Sequence, residues 1–202
     1  MVLTVTVALG LLATPDHEVM VLMSSQWHES LHALFQGIAL LGGIEATSLV
    51  MFGLVVFMLS RGYVADAWVA VAFVAATVLE LLYKWNLVHP QPPKSVSHAD
   101  GPSISTLLEP TTGVHNSFPS GHMLRTVLVY GLLAFVIRRL APWPWLRGLA
   151  IPLAVVLTVI VAFDRVYLDV HWESDVIGGL LLGAIALVSA TVWLDRPRRA
   201  DN

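Results

Sequence analysis

Apolar residues run along this chain in blocks of about 18–25, separated by short polar breaks, a pattern that predicts membrane-crossing helices. Five blocks stand out: Gln36 to Ser60, Ala65 to Val88, one that opens at Pro119 and ends near Arg138 and Arg139, Leu146 to Phe163, and Trp172 to Trp193. A shorter apolar block, Met1 to Ala13, would reach only about 20 Å as a helix, less than the roughly 30 Å hydrocarbon core. It is expected to be a short or truncated first span. It lacks a basic leading region and a small-residue cleavage site, so it does not read as a signal peptide. Residues 16–32 mix apolar and polar positions and read as an interfacial helix. The expected fold is all-α: a polytopic membrane helix bundle of about six transmembrane helices plus an interfacial helix, one domain over residues 1–202. A Pro-rich polar loop, residues 89–118, interrupts it.

Composition agrees. Of 202 residues, 56% are hydrophobic and 12% charged, against about 25% charged in soluble domains; mean hydropathy is +0.75. A formal net charge of −3 gives no sign of a nucleic-acid partner. The absence of cysteine excludes disulfides and thiolate chemistry.

Charge also assigns sides. If the helices alternate in direction, Arg61, Arg138, Arg139, Arg147, Arg196, Arg198 and Arg199 fall at one end, and Lys84, Lys94, Arg125 and Arg165 at the other. Seven basic residues against four make the first end cytoplasmic. The 89–118 loop is then extracytoplasmic, in a multi-pass protein of the cell membrane. The eight histidines also lie toward that outer end.

Three polar clusters gather there. Glu80 and Lys84 are four apart on one helical face, in the favourable order for an ion pair. Pro119, Ser120, Gly121 and His122 open a helix, with Arg125 one turn further on. Arg165, His171 and Asp175 form the third cluster, and the four-residue spacing lets Asp175 hold the His171 imidazole in one tautomer. Singly, each has an ordinary structural explanation: a snorkelling lysine, a helix cap, a charge matched to a helix dipole. Together, at one end of a membrane bundle, they indicate a site, because ionisable groups in lipid are costly.

The chemistry they suit is phosphate-ester cleavage. A helix start bearing Ser120 and Gly121 offers N–H groups to phosphate, and Lys84 and Arg165 offer positive charge. With two histidines, one attacks phosphorus and the other protonates the leaving alkoxide. Asp175 favours His171 as nucleophile, which leaves His122 as the acid. The carboxylates and histidines show no metal-ligand spacing, so no metal and no cofactor are expected.

These clusters resemble the three signature motifs of the type 2 phosphatidic acid phosphatase (PAP2) superfamily: K-x6-R-P, P-S-G-H and S-R-x5-H-x3-D. The second is intact at Pro119 to His122, and the third matches at Arg165, His171 and Asp175. Two positions depart from the pattern. Gln91 stands at the first motif's arginine and Asp164 at the third motif's serine. Both remove groups that bind phosphate in the family; Lys94, His89 or Arg125 are candidates to compensate. The resemblance covers about Gln36 to Trp193. It implies metal-independent hydrolysis of a lipid phosphate or diphosphate monoester, of the phosphatidic acid, phosphatidylglycerol phosphate or polyprenyl diphosphate class, through a phosphohistidine. The partners are then the lipid substrate and the surrounding membrane lipids. Lipid phosphotransfer at the same site, or a degenerate non-catalytic lipid-binding role, are the other readings. Arg125 lies outside the family pattern and has two readings of equal weight: an ion pair with Glu45 or Glu80, or an added phosphate contact.

Overall fold

In the computed structural model the protein is described over residues 2–93, 95–98 and 116–196. Lys94, Arg198, Arg199 and most of the Pro-rich loop lie outside the described residues. Eight α-helices are present among them: α1 Val2–Ala8, α2 Ala13–Ser25, α3 His32–Gly42, α4 Ile44–Ser60, α5 Val69–Asn86, α6 Gly121–Leu140, α7 Pro144–Tyr167 and α8 Glu173–Leu194. A 3₁₀ turn, Glu29–Leu31, leads into α3.

Three of these, α5, α7 and α8, are long and apolar enough to cross a membrane alone, and the number rises to five if two bent pairs each count as one span. The chain is thus an all-α membrane bundle, as expected, but three of the expected elements differ from their sequence reading. The block read as Met1 to Ala13 ends as a helix at Ala8, and α2 leaves at 83° to α1. Gly10 lies at the turn with φ +68°, a backbone geometry that favours glycine. The mixed stretch 16–32 is not one interfacial helix: α2 already begins at Ala13 and ends at Ser25. The block read as a single Gln36 to Ser60 span bends by 42° at Gly43, whose extended backbone (φ −62°, ψ 157°) interrupts the ladder between α3 and α4.

Helix α6 forms the core. Its Leu124, Leu128, Val129, Leu132 and Val136 pack with Met51, Leu54 and Met58 of α4, Val69 and Ala76 of α5, and Ala190 and Leu194 of α8. Close approach to α8 depends on small residues. A Cβ added to Gly183 would lie 2.7 Å from the Leu124 carbonyl oxygen and 2.9 Å from Val127 Cβ, and one on Gly178 would enter the Phe118 ring. Outside, Leu149, Leu153, Val156 and Ile160 of α7 are exposed at helical spacing, an apolar stripe suited to lipid. At one end, Arg139 donates to the Leu194 carbonyl (2.7 Å) and Arg196 pairs with Asp66 (3.2 Å). The α4–α5 turn and the C-termini of α6 and α8 therefore share the arginine-rich end. The C-terminus of α5, the N-terminus of α6, the C-terminus of α7 and the N-terminus of α8 meet at the other.

Candidate active site

At that second end, four helix termini bring the three sequence clusters together. Ser120 precedes α6 in extended conformation, and its N–H donates to the Asp175 carbonyl at 3.0 Å, which ties the Pro-Ser-Gly-His turn to the first turn of α8. The Ser120 hydroxyl is fully buried with no partner among the described residues. Gly121 admits no side chain, since an added Cβ would fall within the Glu80 carboxylate. Glycine at this motif position therefore answers to α5 as well as to the turn.

Glu80, Lys84 and Arg125 are all buried. Lys84 Nζ lies 3.3 Å from Glu80 Oε1, and Arg125 Nη1 donates to Glu80 Oε2 at 2.5 Å. Of the two carboxylates considered for Arg125, Glu80 is its partner.

Arg165, also buried, gives its Nε and Nη2 to Asp164 Oδ2 at 2.8 and 2.5 Å. Asp164 Oδ2 thus holds one edge of the guanidinium, while its Oδ1 is buried without a hydrogen-bond partner among the described residues. Gln91 is half-buried just beyond His89 and Pro90, and its side chain makes no hydrogen bond among the described residues.

Asp175 organises the histidines. Its Oδ2 accepts from the Trp172 backbone N–H at 2.9 Å and lies 3.3 Å from His171 Nδ1. This is the tautomer-fixing contact expected from the spacing, and it leaves His171 Nε2 free to face a substrate. Burial pushes the His171 imidazole below its ordinary value, against the upward pull of Asp175. A neutral ring, the nucleophilic form, follows. His122, on the first turn of α6, lies within electrostatic reach of Arg165, Arg125, His171 and Lys84. One histidine from α6, one from the α7–α8 connection, a lysine from α5 and an arginine from α7 thus converge beside an unpartnered serine hydroxyl.

Two further residues enter this network: Asp16, which the sequence did not single out, and His89, named above as a candidate phosphate contact but found beside Asp175. His89 Nδ1 lies 3.1 Å from Asp175 Oδ1, and Asp16 of α2 accepts from both the Ser174 N–H (2.9 Å) and the Ser174 hydroxyl (2.7 Å). No local pattern marks either contact, because the partners of Asp16 are 158 residues away.

The fold and the site together define an all-α membrane bundle with histidines and buried cations gathered at one end, and the comparison with known families places it further. The chain belongs to the PAP2 superfamily, whose family model matches residues 64–199. Phosphatidylglycerophosphatase B of Bacillus subtilis is 39% identical over 70 residues, 34% of this chain and 34% of that protein. An undecaprenyl-diphosphatase of Sulfolobus acidocaldarius is 32% identical over 114 residues, 56% of this chain and 48% of that protein. These matches span a third to a half of the curated relatives' length. The crystal structure of a transmembrane PAP2-type phosphatidylglycerolphosphate phosphatase from Bacillus subtilis aligns over 98% of this chain and 94% of that one, with a TM-score of 0.82. At 21% identity, that likeness is one of fold.

Proposed function

We propose that this chain is a membrane lipid phosphatase that hydrolyses a phosphate or diphosphate monoester of a lipid through a phosphohistidine. His171 Nε2 attacks phosphorus while Asp175 holds the Nδ1 proton and stabilises the imidazolium that forms. His122 gives its proton to the leaving oxygen, then takes one from the water that cleaves the phosphohistidine and releases inorganic phosphate. Lys84, Arg165, the Ser120 hydroxyl and the N–H groups at Gly121 bind the phosphate oxygens. The observation that carries this reading is the His171–Asp175 contact at 3.3 Å, set beside those cations and the buried, unpartnered Ser120 hydroxyl. The relatives' names support a lipid phosphate or polyprenyl diphosphate as the substrate class. The basic-residue asymmetry supports a site on the extracytoplasmic face.

The test is phosphate release by the purified protein in detergent from phosphatidic acid, phosphatidylglycerol phosphate and undecaprenyl diphosphate, with trapping of labelled phosphoenzyme. His171→Ala is expected to abolish both label and release. His122→Ala is expected to slow release severely, least for substrates with good leaving groups. Activity is expected to survive EDTA and to fall with vanadate, a mimic of five-coordinate phosphorus. A label that persists in His171→Ala, or activity that requires added Mg²⁺ or Zn²⁺, would overturn the mechanism.

A further inference from the structure

The second imidazole beside Asp175 has no part in the chemistry above, yet the loop that carries it is anchored at several points. His89 lies outside the helices. Its backbone N–H donates to Asn116 Oδ1 (3.0 Å), and its carbonyl accepts from the Ser117 N–H (2.8 Å) and the Ser117 hydroxyl (3.1 Å). The next residue is pinned as well, because Trp172 Nε1 donates to the Pro90 carbonyl at 2.7 Å. The ring meets Phe118 and Trp172 edge-on.

These contacts determine which nitrogen carries the proton. His89 Nδ1 faces two oxygens, Asp175 Oδ1 and Ser117 Oγ, each at 3.1 Å. The Ser117 hydroxyl has the His89 carbonyl at 3.1 Å and the Pro90 carbonyl at 3.5 Å to donate to, which leaves its oxygen able to accept from the ring. A carboxylate oxygen also accepts. The carboxylate oxygen at 3.1 Å therefore favours the proton on Nδ1. Asp175 Oδ1 is buried and accepts no well-aligned hydrogen bond among the described residues; the His89 ring, at 3.1 Å, is the group that approaches it. On the far side, His89 Nε2 lies 3.9 Å from Asp16 Oδ2.

Taking the phosphatase reading as its basis, we propose that His89 is a positioning residue. Its Nδ1, 3.1 Å from Asp175 Oδ1, shares that carboxylate electrostatically with His171, and so sets the pH at which His171 becomes the nucleophile. With Oδ1 engaged by His89, the carboxylate has less charge to lend to a protonated His171. Remove the donor and Asp175 draws the His171 imidazolium more strongly, so His171 keeps its proton to higher pH and the acid limb of kcat/KM moves up. The other charged and titratable groups facing His171, namely Lys84 and Glu80 of α5, Arg165 of α7 and His122 of α6, are unchanged by the substitution. A hydrogen bond to a charged group corresponds to a shift of about one to two pH units.

The experiment compares pH profiles of phosphate release for the full-length protein and three variants. His89→Ala and His89→Phe lack the donor and differ in volume. His89→Asn returns an amide N–H near the Nδ1 position. The expected result is an acid limb about one unit higher in both donor-less variants and close to wild type in His89→Asn. Loss of activity without movement of the limb would reduce His89 to a loop anchor and overturn the proposal. In parallel, ¹⁵N imidazole spectra of histidine-labelled wild type should show His89 Nδ1 protonated. An unprotonated Nδ1 overturns the proposal even if every variant fails to fold. If wild type releases no phosphate from any lipid phosphate, the phosphatase reading falls, and the spectrum alone decides the His89–Asp175 bond.

Discussion

Arg125 is the residue on which structure and family pattern say different things, and its removal gives the clearest test of the core. Arg125→Met keeps much of the side-chain length and deletes the guanidinium. In the native protein that group is 2% exposed and lies 2.5 Å from a carboxylate that is 3% exposed. Breaking a buried pair by removing one partner typically costs about 3–5 kcal/mol, because the remaining charge is left uncompensated. Glu80 retains Lys84 at 3.3 Å, so the lower end, about 3 kcal/mol, is expected. For a chain of this length that corresponds to a fall in thermal midpoint of roughly 6–12 °C. The assay is unfolding in detergent for wild type, Arg125→Met, Glu80→Gln and the double variant. The double variant should be more stable than the sum of the singles predicts, with a coupling of at least about 1.5 kcal/mol. KM for a short-chain lipid phosphate should change little in protein that remains folded. A stable Arg125→Met variant with a KM raised tenfold or more would refute this: Arg125 would then be a phosphate contact, and its pairing with Glu80 incidental.

Three further outcomes are expected. Gly121→Ala drives a methyl group into the Glu80 carboxylate; overpacking of this kind costs about 1–3 kcal/mol, and phosphate release should be lost. A variant with wild-type midpoint and turnover would show that α5 yields there. Asp164→Ser frees the Nε and Nη2 of Arg165 for substrate oxygens; charge-assisted bonds contribute about 1.5–3 kcal/mol, so KM should fall about tenfold or more while stability drops, and an unchanged KM in folded protein would place Arg165 outside the phosphate site. In intact cells, an impermeant thiol reagent should label Ser95→Cys and spare Ser60→Cys, both in exposed positions; the reverse pattern would invert the orientation.

The close side-chain contacts at the site were more legible in the sequence than the bends of the helices. Fixed spacings carry the Glu80–Lys84 and His171–Asp175 contacts, because four residues along a helix bring side chains onto one face whatever surrounds it. The spans of α5, α7 and α8 were legible for a similar reason: lipid requires long apolar runs, and these run uninterrupted. The bends were harder to read. Hydrophobicity continues through Gly42 and Gly43, and an apolar run does not register a change of direction; the paired glycines were the available signal. Nothing local could have paired Arg125 with Glu80 rather than Glu45, or brought Asp16 to Ser174. Those contacts exist only once separate helices have packed. Gln91 and Asp164 were visible as departures from the family motifs. Only the structure shows that Asp164 grips its own neighbour, Arg165.

The Glu80 carboxylate has a further consequence for how this protein enters a membrane. An unpaired charge inserted into lipid costs about 2.5–3.5 kcal/mol on translocation scales. When α5 emerges from the ribosome, Glu80 and Lys84 arrive four residues apart and can neutralise each other within a single helix. Arg125 follows with α6, after its carboxylate has already been delivered, and docking of α6 onto α5 replaces bilayer with a counter-ion. Asp164 directly precedes Arg165, so α7 carries its own pair. The buried cations of this bundle are thus spaced along the chain so that each enters lipid together with, or after, the carboxylate that neutralises it.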